Sequence, residues 1–179
     1  MVQRPGGGQS PRPVSSGLGS GLDGADRAAV TAQLGRVPRA ADQVAYRCPC
    51  GLPAAVRTRP RLADGSPFPT LYYLTCPRAV AACGRLESTG LMREMAQRLA
   101  SDADLAAGYR AAHQDYLARR EAIEPVPEIA GVSAGGMPGR VKCLHALLAH
   151  ALAAGPGVNP LGDEVRRLVG EWWADGQCV

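Results

Sequence analysis

The densest apolar run in the chain is Leu71-Tyr72-Tyr73-Leu74, and it leads through Thr75 to Cys76-Pro77. Aromatic and aliphatic residues over so short a stretch are typical of a buried β-strand, so we predict a strand over residues 70–75. Segments 44–47 and 54–59 have the same character, and the Asp64-Gly65 pair between prolines indicates a loop or hairpin. The run therefore predicts a small antiparallel β-hairpin module at about residues 43–77.

Downstream of this module, the apolar residues follow helical spacing. They recur over residues 91–99 and again over 105–116, after the start signal Ser101-Asp102. The spacing predicts a further helix that begins near Pro138 and runs to about Ala154, and a last helix that follows Asn159-Pro160. These helices define a helical body at about residues 78–174.

The 179 residues are too few for two ordinary domains. Residues 1–23 are rich in Gly, Ser and Pro and predict a disordered tail. Asp23 or Asp26 is expected to cap a short helix that ends at Gly35. We predict a single domain over residues 24–179 with the fold class α+β, mainly helical with one β-hairpin module.

The composition argues against several classes of protein. No run approaches the roughly 20 apolar residues of a membrane helix, and the first residues lack the apolar core of a secretory signal. We therefore expect a cytoplasmic protein. A net charge of +4 without a dense basic stripe does not indicate a nucleic-acid partner.

Six cysteines carry the clearest chemical signal. Without an export signal, their thiols are expected to be reduced. Cys48 and Cys50 share a Pro/Gly turn, and Cys76 ends a later strand. Two thiolates in a tight turn, facing a third across a hairpin, are how small β modules bind a soft metal. Such a site needs a fourth ligand from elsewhere in the chain.

Cys143 is the expected fourth ligand because it lies early in the helix after a glycine-rich loop, with His145 as its substitute. The predicted buried stripe of that helix comprises Val141, Leu144, Leu148 and Leu152. Cys143 and His150 then fall on the opposite side. Cys83 and Cys178 are interpreted as ordinary buried thiols.

Four thiolates suit either zinc or an iron–sulfur cluster. Zinc is the more frequent structural ion, whereas the Cys-Pro pairs at Cys48 and Cys76 also occur around iron–sulfur clusters. The alternative without a metal is that these are ordinary buried or reactive thiols. The expected role is structural or interaction-based, and no catalytic set of side chains is indicated.

The glycine-rich loop offers a second hypothesis. Ser133, Gly135 and Gly136, followed by Arg140 and Lys142, form a plausible cradle for an anion at a helix start. On this alternative the protein is a metal- or thiolate-dependent enzyme or an anion sensor with a phosphate-bearing ligand. The competing interpretation is a flexible connector between two helices.

Segments 46–53, 68–77 and 131–145 resemble the domain of unknown function 501 family of high-GC bacteria. The likeness extends over roughly residues 26–168. The resemblance implies cysteine at the positions of Cys48, Cys50, Cys76 and Cys143, and varied residues at those of Cys83 and Cys178. It implies no established activity, and the partners considered are another protein or a phosphate-bearing ligand.

Overall fold

The structure is a computed structural model that describes residues 21–174, 176 and 178–179. The predicted tail therefore lies outside the described residues, apart from residues 21–23. Of these, Leu22 is buried with Val30 and Val56 in a small cluster, so the packed part of the chain begins slightly earlier than predicted.

The described residues contain six α-helices. One precedes the three strands, and the other five follow them. The helices are α1 (Gly24–Leu34), α2 (Pro77–Ser88), α3 (Leu91–Ser101), α4 (Ala103–Glu121), α5 (Leu144–Ala154) and α6 (Pro160–Val169). Asp23 caps α1 as predicted, since its Oδ1 accepts from the backbone N–H of Asp26 at 2.7 Å. Gly35, with φ +66°, ends that helix. Among the residues described, no helix combines the length and the apolar composition needed to cross a bilayer.

Three antiparallel strands form one sheet in the order β1 (Ala41–Arg47), β2 (Pro53–Thr58) and β3 (Tyr72–Leu74). The central strand pairs Val56 with Val44 on one side and with Tyr73 on the other. Because β2 is covered on both edges, it is buried almost throughout. The sheet and the helices together confirm the α+β prediction.

The glycine-rich loop before α5 is tighter and longer than predicted. The N–H of Lys142 donates to the carbonyl of Gly135 at 2.7 Å, and that of Arg140 donates to the carbonyl of Gly136 at 2.9 Å. Gly136 has φ +94°, and a Cβ there would lie 2.6 Å from the Arg140 carbonyl oxygen. Because the chain closes on itself in this way, α5 begins at Leu144 rather than near Pro138.

Helix α5 lies at the centre of the core and contacts β3, α2 and α6. Its buried residues are Leu144, Leu147, Leu148, Ala149, His150, Ala151 and Leu152. A helix that is apolar on all sides is one enclosed by its neighbours. The predicted one-sided stripe is therefore corrected, and His150, expected on the face opposite to it, is 0% exposed.

A buried arginine connects α4 to the segments that flank it. Arg120 is 2% exposed, and its guanidinium donates to the carbonyl of Ile129 at 2.7 Å and to that of Pro69 at 3.3 Å. It also donates to the carbonyl of Val132. These bonds hold the entry to β3 and the start of the glycine-rich loop against the same helix.

Candidate metal centre

A tight turn between β1 and β2 carries two of the predicted ligands. The N–H of Gly51 donates to the carbonyl of Cys48 at 2.8 Å, and that of Cys48 donates to the carbonyl of Leu52 at 2.8 Å. Gly51 has φ +92°, which favours glycine at this point of the turn. The turn places the thiols of Cys48 and Cys50 within 4.8 Å of each other.

The third thiol of this group belongs to Cys178. Its Sγ lies 3.7 Å from that of Cys48 and within 4.8 Å of that of Cys50. The side chain of Gln33 on α1 donates to the carbonyls of both Pro53 and Cys178, each at 2.9 Å. This amide fixes the C-terminal segment beside the turn, and Cys178 is fully buried.

Cys76 stands next to this group. It is the N-cap residue of α2, directly after β3, and it is fully buried. Its sulfur is not one of the three that lie within 4.8 Å of one another, but the thiol is near enough to Cys178 to raise the pKa of that residue. We call Cys48, Cys50, Cys76 and Cys178 the cysteine cluster. Its members come from three distant parts of the chain, which the sheet and α1 bring together.

Burial and hydrogen bonding shift the pKa values of the cluster's thiols in different directions. Burial raises the pKa values of Cys48 and Cys178. Burial acts in the same direction on Cys50, but hydrogen bonds from the backbone N–H of Leu52, from the thiol of Cys48 and from the backbone and thiol of Cys178 outweigh it and lower the pKa of this thiol. Adjacent buried thiolates repel one another, so a cation among them would be needed for several to ionise together.

The donor set fits a soft metal. The three-thiol group contains sulfur alone, and Cys76 supplies a fourth sulfur beside it. Thiolates select zinc, copper(I) and iron–sulfur clusters over hard ions such as magnesium or calcium. The N–H donors to the sulfur of Cys50 are the kind of outer contact that orients metal ligands.

Cys143 lies in a different group, which corrects the prediction that it joins Cys48, Cys50 and Cys76. Its ligand atom is within 4.8 Å of those of Glu87 and His145, which we call the Glu87–Cys143–His145 group. The reason is the packing of α2 against α5. Cys76 begins α2, whereas Glu87 is in its last turn, and the start of α5 lies at that far end.

The contacts of this second group are specific. The Nδ1 of His145 lies 3.1 Å from Oε1 of Glu87 and 3.9 Å from Sγ of Cys143. The N–H of Leu144 donates to the same carboxylate oxygen at 2.7 Å. The hydrogen bond with Cys143 raises the pKa of His145 to about 9, with Glu87 acting in the same direction and partial burial opposing both. Burial would raise the pKa of Cys143, but the bonds from His145 and the N–H of Ala146 outweigh it and lower that pKa.

The residues predicted to hold an anion are arranged around the closed loop. The hydroxyl of Ser133 bonds to Nδ1 of His113 at 2.8 Å, and the side chains of Arg140 and Lys142 are exposed. The first N–H of α5 is used by Glu87, so an internal carboxylate stands at the helix start. The anion site of Ser133, Gly135, Gly136, Arg140 and Lys142 stays a prediction.

The sequence analysis did not identify two residues of these sites. Cys178 is 130 residues from Cys48, and no spacing rule links positions that far apart. Trp172, six residues earlier and buried, was a signal that the C-terminal segment returns to the core. Glu87 carries no signal in the sequence, because only its contact with the start of α5 shows that it belongs to a site.

The fold and the sites together define an α+β protein with a buried cluster of thiols and a separate Cys–His–Glu group. The family model described as "Protein of unknown function (DUF501)" matches residues 44–167, and the chain belongs to this family. The match includes Cys48, Cys50, Cys76 and the whole Glu87–Cys143–His145 group, and Cys178 lies outside it. No curated protein matches the chain, and no solved structure does.

Proposed function

We propose that this is a cytoplasmic metal-binding protein whose metal is held by the cysteine cluster. One observation carries the proposal: the thiols of Cys48, Cys50 and Cys178 lie within 4.8 Å of one another. We assign Cys76, which lies outside this 4.8 Å group but raises the pKa of Cys178, as the fourth ligand. In this proposal Cys178 takes the place first given to Cys143.

Zinc is the first choice of metal, and an iron–sulfur cluster is the alternative. A closed set of four thiolates is the usual arrangement of structural zinc and leaves no position for a substrate. The cluster joins the turn after β1, the start of α2 and the C-terminal segment. The metal therefore has a structural role, in which it ties the β-hairpin module to the helical body and to the end of the chain.

The test is the metal content of the full chain, purified without oxygen. We expect bound zinc in a colourless protein, or iron and sulfide in a brown one, and we expect Cys50→Ala and Cys178→Ala to lose it. Cys83→Ala is the matched control, because Cys83 is fully buried but belongs to neither ligand group. Metal that Cys50→Ala and Cys178→Ala retain in full would contradict the proposal, as would a wild-type chain that neither contains nor takes up metal.

A further inference from the structure

The Glu87–Cys143–His145 group is chemically distinct from the cysteine cluster. It combines one carboxylate, one thiol and one imidazole, whereas the cluster offers sulfur alone. All three side chains are partly exposed. The group therefore has access to solvent on one side, and nothing in the proposed structural role uses it.

The hydrogen bonds of His145 fix which of its ring nitrogens faces the other two side chains of the group. Its Nε2 lies 3.1 Å from the backbone carbonyl of Val80. Since a carbonyl oxygen only accepts, Nε2 carries the hydrogen and donates it. Nδ1 then faces the side where Glu87 Oε1 lies at 3.1 Å and Cys143 Sγ at 3.9 Å. Because the pKa of His145 is raised to about 9, Nδ1 carries a proton in the metal-free protein, and a bound metal ion would displace it.

Three electron-pair donors thus converge on one small volume. A neutral Nδ1 and a carboxylate oxygen at 3.1 Å repel each other unless a proton or a metal ion lies between them. Each donor also has a hydrogen-bond partner in the backbone outside the group. His145 bonds to the Val80 carbonyl, Glu87 to the N–H of Leu144, and Cys143 to the N–H of Ala146. Such outer contacts orient the ligands of metal sites.

We propose that Glu87, Cys143 and His145 form a second metal site, for zinc or a similar borderline-soft divalent ion, with one open coordination position. Sulfur, imidazole nitrogen and carboxylate oxygen are the three donor types that zinc accepts. Three protein ligands plus an exchangeable water are the pattern of zinc sites that act on a substrate, in contrast to closed structural sites. The partial exposure of the group leaves room for that fourth ligand.

The test is a titration of the metal-free, reduced full chain with Co²⁺, followed by visible absorption and by counting the bound equivalents. Two equivalents are expected for the wild-type chain and one for Cys143→Ala or His145→Ala, whose affinity at this site falls more than about 100-fold. Glu87→Gln keeps an oxygen acceptor for the N–H of Leu144, so it separates the loss of a charged ligand from loss of the fold. Cys83→Ala is expected to bind two equivalents.

The two sites can fail independently. One equivalent in the wild-type chain, lost in Cys50→Ala but kept in Cys143→Ala and His145→Ala, overturns the second site and leaves the first. One equivalent with the opposite pattern supports the second site and overturns the first. Absence of Co²⁺ at Cys143 together with rapid alkylation of this thiol at neutral pH also overturns the metal site, because a proton shared with His145 then occupies the group.

Discussion

Gly162 in α6 packs against the backbone of α5. A Cβ at this position would lie 2.5 Å from the carbonyl oxygen of Leu147 and 2.8 Å from the Cβ of Ala151. The N–H of Gly162 donates to Oδ1 of Asn159, the N-cap of α6, at 2.9 Å. The absence of a side chain is what lets the two helices pack here.

We expect Gly162→Ala to destabilise the protein by about 1–3 kcal/mol, because the added methyl group forces the helices apart. Gly84→Ala is the matched control. Gly84 is exposed in α2 with nothing within 4 Å of its missing Cβ, and alanine there should stabilise the helix by about 0.5–1 kcal/mol. Urea unfolding followed by circular dichroism measures both. Equal stability of the two variants would contradict the close approach.

His150 is a fully buried imidazole outside the two ligand groups. Its Nδ1 lies 3.2 Å from the amide nitrogen of Asn159, which donates, so Nε2 donates to Oδ2 of Asp115 at 3.0 Å. The ring stacks on Tyr72 with centroids 6.0 Å apart. The groups that act on His150 are Asp115, Tyr72, Tyr116, Arg119, Asp163 and Asn159. Burial lowers the pKa of His150, and Asp115 only partly opposes this.

We expect the free energy of unfolding to fall as the pH drops below about 6.5. There the unfolded chain takes up a proton on His150, while the folded protein keeps the ring neutral until its lowered pKa is reached. Arg119 and His150 outweigh burial and lower the pKa of Asp115, so the stability it contributes is lost only at more acidic pH, as the pH falls through that lowered value. As the pH is lowered from 8 to 5, the urea concentration at the midpoint of unfolding should fall less steeply for His150→Gln than for the wild-type chain. An unchanged slope would show that His150 does not cause the pH dependence of stability.

At the scale of elements, Arg120 connects α4 to the segments on both sides of it. Arg120 donates to carbonyls of three residues that lie before β3 and within the segment that follows α4. Removal of a buried donor leaves its acceptors without partners, which costs more than the net value of the bonds.

We therefore expect Arg120→Met to lower the free energy of unfolding by about 2–4 kcal/mol. The loop before α5 should also exchange its backbone hydrogens faster, because two of the three carbonyls lie at its start. Arg110→Ala, at an exposed position of the same helix, should change stability by less than about 0.5 kcal/mol. Urea unfolding and hydrogen exchange measure the two effects. A loss no larger than that of Arg110→Ala would show that the bonds contribute little.

Local signals explain which elements could be predicted. The Asp23 cap and Gly35 delimit α1, Asn159-Pro160 begins α6, and the apolar run before Cys76 marks β3. Each signal acts within a few residues. The predicted start of α5 was wrong because hydrogen bonds between residues on both sides of Gly139 close the loop. A helical period in the sequence does not reveal such bonds.

The ligand groups show the same limit at longer range. Cys48 and Cys50 were paired correctly because one turn holds them. The choice between Cys143 and Cys178 depended on where the two ends of α2 and the C-terminal segment lie, and only tertiary packing decides this. Glu87 became recognisable only through its bond to the start of α5.

For the whole molecule, the cysteine cluster is the place where the end of the chain returns to the sheet. Gln33 donates to the carbonyl of Cys178 and the thiol of Cys178 contacts that of Cys48. A metal at this point would bind only the folded chain, so its binding energy adds to stability.

We expect removal of the metal by a chelator to lower the free energy of unfolding by about 4 kcal/mol, if the wild-type chain is held at a metal concentration of about 1,000 times Kd. Hydrogen exchange should rise at the turn of residues 48–52 and at residues 178–179. Cys178→Ala should already resemble the metal-free protein, whereas Cys83→Ala should respond to chelation as the wild-type chain does. A chelator that leaves both the unfolding curve and the exchange pattern unchanged would contradict the structural role.

Helix α2 has a consequence for any chemistry at the two proposed sites. It starts directly after Cys76 and carries Glu87 in its last turn, and eleven residues along a helix correspond to about 16 Å. Paired-ion catalysis with a shared bridging oxygen needs metals about 3.5–4 Å apart, so the two ions would react separately. Two paramagnetic ions bound at the two sites would instead interact through space, and helix α2 would set the distance between them.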